Sequence, residues 1–328
     1  MNKRQLGKGG PTVGAIGLGC MSFSGAYGAA GPGEAEATLD KAHDLGVTHL
    51  DTAKIYGDGA SEEIIGAWLR RHPGHRFIIA TKGGIVTAPR RGIDNSPAYL
   101  RECLEGSLRR LGVEHVPLYY VHRRDQTIPI EAVTDTLAGF VREGKIGGIG
   151  YSEISPASLR RAAAVHPVMA VQSEYSLWSR QPDLGMIQAC RELGTAFVAF
   201  SPVARGMFAD TLPDPASFKP GDFRLANPRF QEPNHSANLA FAQRFAALAR
   251  DMGHTASSLA IAWTMHRGDD IIPIPGTRSA AHLAEDAKAA DIRLSPADLA
   301  AIEAVLPPGF AHGARYSHDQ FVGVEIYG

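Results

Sequence analysis

Short apolar segments alternate with helix-like ones eight times along this chain of 328 residues. The strand-like segments are 15–19, 47–51, 77–81, 117–121, 146–150, 168–172, 196–200 and 271–274. They are rich in β-branched and aromatic residues and carry little polar alternation, as strands covered on both faces must. Helical patterns fill the intervals at 33–45, 61–70, 96–111, 130–143, 155–165, 184–193, 238–252 and 280–289. Ser96-Pro97 and Ser155-Pro156 read as N-caps followed by a first-turn proline. Gly46, Gly112, Gly144 and Gly194 stand just past helix ends, where a left-handed residue closes the last turn. Parallel neighbours need crossovers of this length, and eight such units predict a (β/α)8 barrel of the TIM type, one α/β domain spanning 1–328.

Three segments depart from the repeat. The glycine-rich stretch 4–14 predicts a β-hairpin over the barrel floor. The stretch 201–234, rich in Pro, Asp and Phe, leaves the seventh strand without periodicity and predicts a long lid loop. Extra helices are expected at 256–266 and after Ser295-Pro296.

Composition narrows the function. Hydrophobic residues make up 44% and charged residues 20% of the chain, with a formal net charge of -1. That balance favours neither nucleic acid nor an anionic membrane surface. Cys20, Cys103 and Cys190 are too few and too scattered for a disulfide framework. No apolar run approaches the ~20 residues of a membrane helix, and the N-terminal residues lack the apolar core of a signal peptide. A cytoplasmic protein is expected, either a monomer or a homo-oligomer. His72-Pro-Gly-His75 places two histidines in a turn without a third ligand, so no metal is expected. Gly17-Leu-Gly19 lacks the third glycine of a dinucleotide fingerprint and precedes no immediate helix.

Polar residues that end apolar strands carry the chemistry. Asp51 closes the second strand and Tyr56 follows it in a glycine-marked loop. Lys82 closes the third strand and His122 the fourth. Catalytic groups of parallel α/β folds sit at these carboxyl ends. A free phenol titrates near ~10; a neighbouring ammonium lowers that value, and a carboxylate holds the ammonium charged. A neutral His can orient a carbonyl. Together the four make a tunable acid/base phenol for carbonyl reduction or alcohol oxidation. A buried Asp–Lys pair beside an incidental Tyr and His is the plainer reading, and four such residues at successive strand ends outweigh it.

Over nearly its full length the chain resembles an aldo-keto reductase. The resemblance is carried by Gly46–Gly66, Ile79-Ala-Thr-Lys82, Tyr119-Tyr-Val-His122-Arg, Gly144-Lys-Ile-Gly-Gly-Ile-Gly150-Tyr-Ser152-Glu153, Val171-Gln172-Ser-Glu-Tyr-Ser, Val198-Ala-Phe200-Ser201-Pro202 and Ile274-Pro275-Gly276-Thr277-Arg278. It is most similar to the bacterial branch that includes pyridoxal-reductase-like and general aldehyde-reducing enzymes, and Leu306-Pro-Pro-Gly-Phe-Ala-His-Gly-Ala-Arg315-Tyr316 supports that placement.

The resemblance implies NADPH-dependent reduction of a small aldehyde or ketone, with NADH the lesser cofactor. It makes Tyr56 the proton donor, tuned by Lys82 and Asp51, with His122 positioning the carbonyl oxygen. It puts Gly19, Cys20 and Met21 along the nicotinamide site and Ser152 and Gln172 on its carboxamide. Glu153 stands where many members have Asn, and Phe200 supplies a stacking ring. Ser201, Pro202, Val203, Arg205 and Gly206 match the loop around the pyrophosphate. Ile274, Gly276, Thr277 and Arg278 lead into the adenosine-phosphate loop, where Arg278 faces a 2′-phosphate. His282 replaces a frequent Arg, Glu285 matches an adenine contact and Asp286 replaces an Asn. Phe23, Tyr27 and Trp178 are candidates for an apolar substrate mouth, with Trp178 equally suited to packing beneath the lid. A nucleotide-binding regulatory barrel of the channel-subunit kind, with little turnover, is the alternative. A Schiff-base lyase using Lys82 would leave Tyr56 and the Arg278 loop without a role.

Overall fold

The computed structural model describes residues 1–28, 31, 33–87 and 92–327. The strands in chain order are β1 (Lys3–Gln5), β2 (Thr12–Gly14), β3 (Leu18–Gly19), β4 (His49–Asp51), β5 (Ile78–Gly83), β6 (Ile85–Val86), β7 (Gly92–Ile93), β8 (Leu118–Val121), β9 (Ile149–Ser152), β10 (Val168–Glu174), β11 (Ala196–Phe200) and β12 (Ile271–Ile274). Eight of them form one parallel sheet in the order β12-β11-β10-β9-β8-β5-β4-β3. The sheet closes on itself: Gly17 and Gly19 donate to the carbonyls of Pro273 and Pro275 at 2.9 and 3.0 Å, and Gly19 bridges Gly276. This is the expected (β/α)8 barrel.

The helices are α1 (Glu34–Leu45), α2 (Ala60–Arg71), α3 (Pro97–Leu111), α4 (Ile130–Arg142), α5 (Pro156–Val165), α6 (Met186–Leu193), α7 (Asn234–Asp251), α8 (Ala256–His266), α9 (Ala280–Ala287) and α10 (Pro296–Val305). Their ends follow the local chemistry. Ser96 and Ser155 accept from the amides of Tyr99 and Ser158, and Ser295 forms a reciprocal capping box with Asp298. Each such cap contributes about 1 kcal/mol. Gly46, Gly112 and Gly194 take the left-handed conformation that a Cβ would resist.

The N-terminal hairpin plugs the floor. β1 pairs antiparallel with β2, and Leu6 and Val13 are buried in the barrel-interior cluster with Ala80, Leu118, Ala170 and Ile272. The first barrel strand is shorter than expected, two residues where 15–19 was anticipated, because Ala15 is drawn into the hairpin by a bond to the Asn2 carbonyl. Tyr120 fills the barrel interior by lying over Gly150, its register partner on β9; a Cβ there would fall 2.3 Å from the ring.

The connection 201–234 is not a bare loop. It contains short 3-10 turns at Ala204–Gly206, Pro215–Ser217 and Pro228–Phe230 and buries Phe208, Asn227 and Phe230. Among the described residues, no helix is long and apolar enough to cross a membrane.

Candidate active site

The ends of β4, β5 and β8 bring the four candidate residues together. Lys82 is fully buried; its Nζ pairs with Asp51 Oδ1 and donates to the Thr52 carbonyl at 2.9 Å and to the Tyr56 hydroxyl at 3.4 Å. Gln172 Nε2 donates to the other Asp51 oxygen at 2.7 Å. The carboxylate is thus held from both sides, and Lys82 is aimed at the phenol. The Tyr56 and His122 rings meet edge to face with centroids 5.8 Å apart. Tyr56 arrives there through a turn in which Gly57 and Asp58 both have positive φ, so the chain folds back over the mouth within two residues.

Burial pushes the Tyr56 phenol up, and the repulsion of Asp51 adds to this; the Lys82 charge opposes both without reversing them. The expected lowering by Lys82 is present, but desolvation outweighs it. Lys82 itself loses stability as a cation through burial, yet Asp51 and Tyr56 more than compensate and its value rises. Both shifts point the same way, favouring a protonated phenol beside a charged ammonium.

Strained backbone clusters at the same end of the barrel. Asp58, Glu153, Ser201, Ala204 and Arg205 are the non-glycine residues with positive φ among the described residues, and each follows a strand's carboxyl end. Such outliers concentrate at functional sites.

The remaining candidates fall into separate groups. Gly19, Cys20 and Met21 line the end of β3, and Cys20 is a packed thiol whose value burial pushes up. Ser152 ends β9 and accepts from Arg123 Nη1 at 3.2 Å, which leaves its own hydroxyl hydrogen free to donate. Phe200 ends β11 partly buried against the barrel-interior cluster, and Ser201, Pro202, Val203 and Gly206 follow in a tight turn. Ile274 lies in the barrel-interior cluster and Gly276 beside Gly19. Thr277 accepts from the Ser279 amide at 3.0 Å. Arg278 reaches back to the Gly28 carbonyl at 3.0 Å and to Glu34 at 3.1 Å. His282 is exposed in the first turn of α9, and Glu285 joins Thr255 at 2.9 Å and Lys288 at 2.6 Å. Phe23 is buried, Tyr27 lies beneath Arg224 with 5.3 Å to its ring, and Trp178 is buried against Phe230 and Phe208 under the 201–234 connection.

Glu153 and Arg205 are held in buried ion pairs. Glu153 is buried and pairs bidentately with Arg315, while Arg205 pairs with Glu174 at 2.8 Å. Arg315 and Arg229 approach Glu174 at 3.7 and 4.0 Å. Burial raises the cost of the Glu174 charge, but the three arginines outweigh it and its value falls. Glu174, Arg229 and Arg123 had not been singled out from the sequence. Glu174 ends an apolar strand just as Asp51 does, and that signal could have found it.

Asp286 is buried beside the Ser257 hydroxyl, and burial pushes its carboxyl up to about 7. Because the folded value lies above the unfolded one, the fold favours the neutral acid. That stability is complete below the unfolded value and is lost as pH rises through about 7. Asp286→Asn is expected to match the parent in urea denaturation at pH 4 and to exceed it at pH 8 by ~2–4 kcal/mol.

A closed parallel barrel with a buried Tyr–Lys–Asp–His cluster at the carboxyl ends of its strands is the architecture of a TIM-barrel enzyme, with the cluster at the end where such folds carry their sites. The chain belongs to the aldo/keto reductase family, whose model matches residues 15–307. It is 39% identical over 322 residues to a Glycine max protein named "Probable aldo-keto reductase 1", covering 95% of this chain and 91% of that one. It is 40% identical over 315 residues to the Schizosaccharomyces pombe "Aldo-keto reductase yakc", whose name specifies NADP(+), covering 94% and 93%. Among solved structures, a glycerol dehydrogenase from Gluconobacter oxydans superposes with a TM-score of 0.81 at 27% identity, over 90% of this chain and 92% of that one. An aldo/keto reductase from Klebsiella pneumoniae in complex with NADP and acetate has a TM-score of 0.73 at 23% identity, over 97% and 99%, a likeness of fold. The two named sequence relatives come from a plant and a yeast, so they place the chain in the family without assigning it to the bacterial branch.

Proposed function

We propose that the protein reduces aldehydes or ketones to alcohols with NADPH, using Tyr56 as the proton donor. The observation that carries this reading is the buried Asp51–Lys82 pair aimed at the Tyr56 hydroxyl, 3.4 Å from Lys82 Nζ. The polar groups also fit the cofactor. A nicotinamide carboxamide offers one acceptor and one donor pair. The Ser152 hydroxyl has its hydrogen free, and the Gln172 amide, its nitrogen spent on Asp51, presents a carbonyl oxygen. Phe200 adds a partly buried aromatic ring at the end of β11, and Arg278 a cation suited to a 2′-phosphate. When bound, the dihydronicotinamide supplies hydride to the carbonyl carbon.

The chain's own residues do the rest. His122 orients the carbonyl oxygen toward the Tyr56 hydroxyl. As negative charge grows on that oxygen, Tyr56 gives up its proton and the alcohol forms. Lys82 stabilises the phenolate left behind, and Asp51 keeps Lys82 charged and in place. Glu153 contributes through Arg315 and the C-terminal segment, since both of its carboxylate oxygens are taken.

A fluorescence titration tests the cofactor assignment. Arg278→Ala is expected to weaken NADPH binding on the order of tenfold to a hundredfold and NADH binding by under about threefold. Equal losses for both cofactors would remove the 2′-phosphate role of Arg278.

A further inference from the structure

Arg123 is an unusual cation. It follows His122 directly, is half-buried, and among the described residues donates to three neutral oxygens: the His122 carbonyl at 2.7 Å, Ser152 Oγ at 3.2 Å and the Tyr316 hydroxyl at 3.4 Å. No carboxylate among the described residues lies within ion-pair distance of it, whereas the neighbouring Arg124 pairs with Glu325 at 3.5 Å. Its charge acts to lower the Tyr56 value, behind burial, Lys82 and Asp51 in size.

A second cation meets the same tyrosine. The guanidinium of Arg205 lies 4.9 Å from the rings of both Tyr316 and Phe223. It is buried, one of its terminal nitrogens is satisfied by Glu174, and the other, Nη1, has no partner. Around Tyr316 and Glu174 the guanidiniums of Arg123, Arg205, Arg229 and Arg315 face the carboxylates of Glu153 and Glu174. The excess is two positive charges, in a protein whose formal net charge is -1. Arg224 adds none, being neutralised by Asp222 at 2.7 Å. Burying unpaired charge is costly, and an aromatic, low-dielectric wall focuses the field that remains.

We infer that the site prefers carbonyl substrates bearing an anionic group, a carboxylate or a phosphate, which Arg123 binds beside Tyr316 while the reacting carbonyl reaches Tyr56. This rests on the reductase reading and adds the substrate class to it. A planar guanidinium with free donors matches either anion bidentately. Arg123 is assigned to recognition, and Arg205 to the background field.

The test compares matched substrates with the full-length protein and NADPH: benzaldehyde against 4-carboxybenzaldehyde, and glyceraldehyde against its 3-phosphate. The anionic member is expected to have kcat/KM on the order of tenfold higher, carried mainly by KM. The two pairs separate carboxylate from phosphate as the preferred anion. The ratio should fall toward one in Arg123→Gln, recover in part in Arg123→Lys, and shrink as salt is raised from 0.02 to 0.5 M, added concentrations chosen around ~0.1 M, where the Debye length is ~10 Å. A ratio near one in the parent, or one that Arg123→Gln leaves unchanged, overturns the inference. A turnover-free arm uses the cofactor-free protein and follows tryptophan fluorescence with benzoate against benzamide. Benzoate should bind tighter, and Arg123→Gln should abolish the difference; equal binding of the two in the parent counts against the inference. If no carbonyl oxidises NADPH, the reductase reading fails, and the benzoate arm alone decides whether Arg123 receives anions.

Discussion

Tyr56→Phe is expected to bind NADPH as the parent does and to lose turnover by about 10²–10⁴-fold, the range contributed by one well-placed proton donor. The substitution removes a single oxygen from a ring that meets His122 edge to face, so the ring and its neighbours have no reason to move. What is lost is the hydroxyl whose oxygen lies 3.4 Å from Lys82 Nζ, and with it the proton the reaction spends. The measurement is steady-state reduction of an activated aldehyde, paired with a fluorescence titration that shows the cofactor still bound. The pH profile carries a second signature. Burial raises the phenol, so the parent should keep its reduction rate up to and beyond the ordinary phenol value near ~10. Alcohol oxidation needs the phenolate and should climb with pH over the same range. In the Phe variant both dependences should vanish. Retention of full turnover would remove Tyr56 from the mechanism.

Lys82→Met is expected to be the most destabilising of the single changes considered. It strands the Asp51 carboxylate, 2% exposed, with only the Gln172 amide to hold it. Breaking a buried ion pair from one side costs about 3–5 kcal/mol, because the remaining charge has neither water nor partner. Urea denaturation of Lys82→Met should show this loss. The double variant Asp51→Asn with Lys82→Met should recover a large part of it, since a neutral amide can occupy the same place beside Gln172. Turnover should stay low in both, as neither keeps an ammonium beside the phenol. That separation, stability regained without activity, distinguishes a pair that tunes Tyr56 from one that merely holds the barrel together. Strictly additive destabilisation in the double variant would argue that the two residues are not coupled.

The barrel was legible because its signals are local. Each strand is a short apolar run, and several helices, α3, α5 and α10 among them, carry a serine cap ahead of a first-turn proline. The count of eight is visible without knowing what touches what. Where the reading slipped, a non-local bond intervened. The strand expected from Ala15 is shortened because Ala15 bonds Asn2. The connection 201–234 looked structureless because its packing comes from afar: Phe230 lies against Trp178, and Asn227 donates to the Arg315 carbonyl at 2.7 Å.

The site divides in the same way. Asp51, Tyr56, Lys82 and His122 were readable as polar residues ending apolar strands, since the end of a parallel strand is a fixed place in this architecture. The sequence by itself determined the barrel and the family, and it pointed to the four residues that the structure brings together. Tertiary structure alone decided the sign of the Tyr56 shift, because desolvation depends on how completely other segments cover the phenol. It also decided that Glu153 faces Arg315, 162 residues away, and that Arg123 has no carboxylate at ion-pair distance among the described residues. Charge pairing in a closed barrel is set by which strand ends and which tail converge on one rim, and residue order along the chain does not encode that.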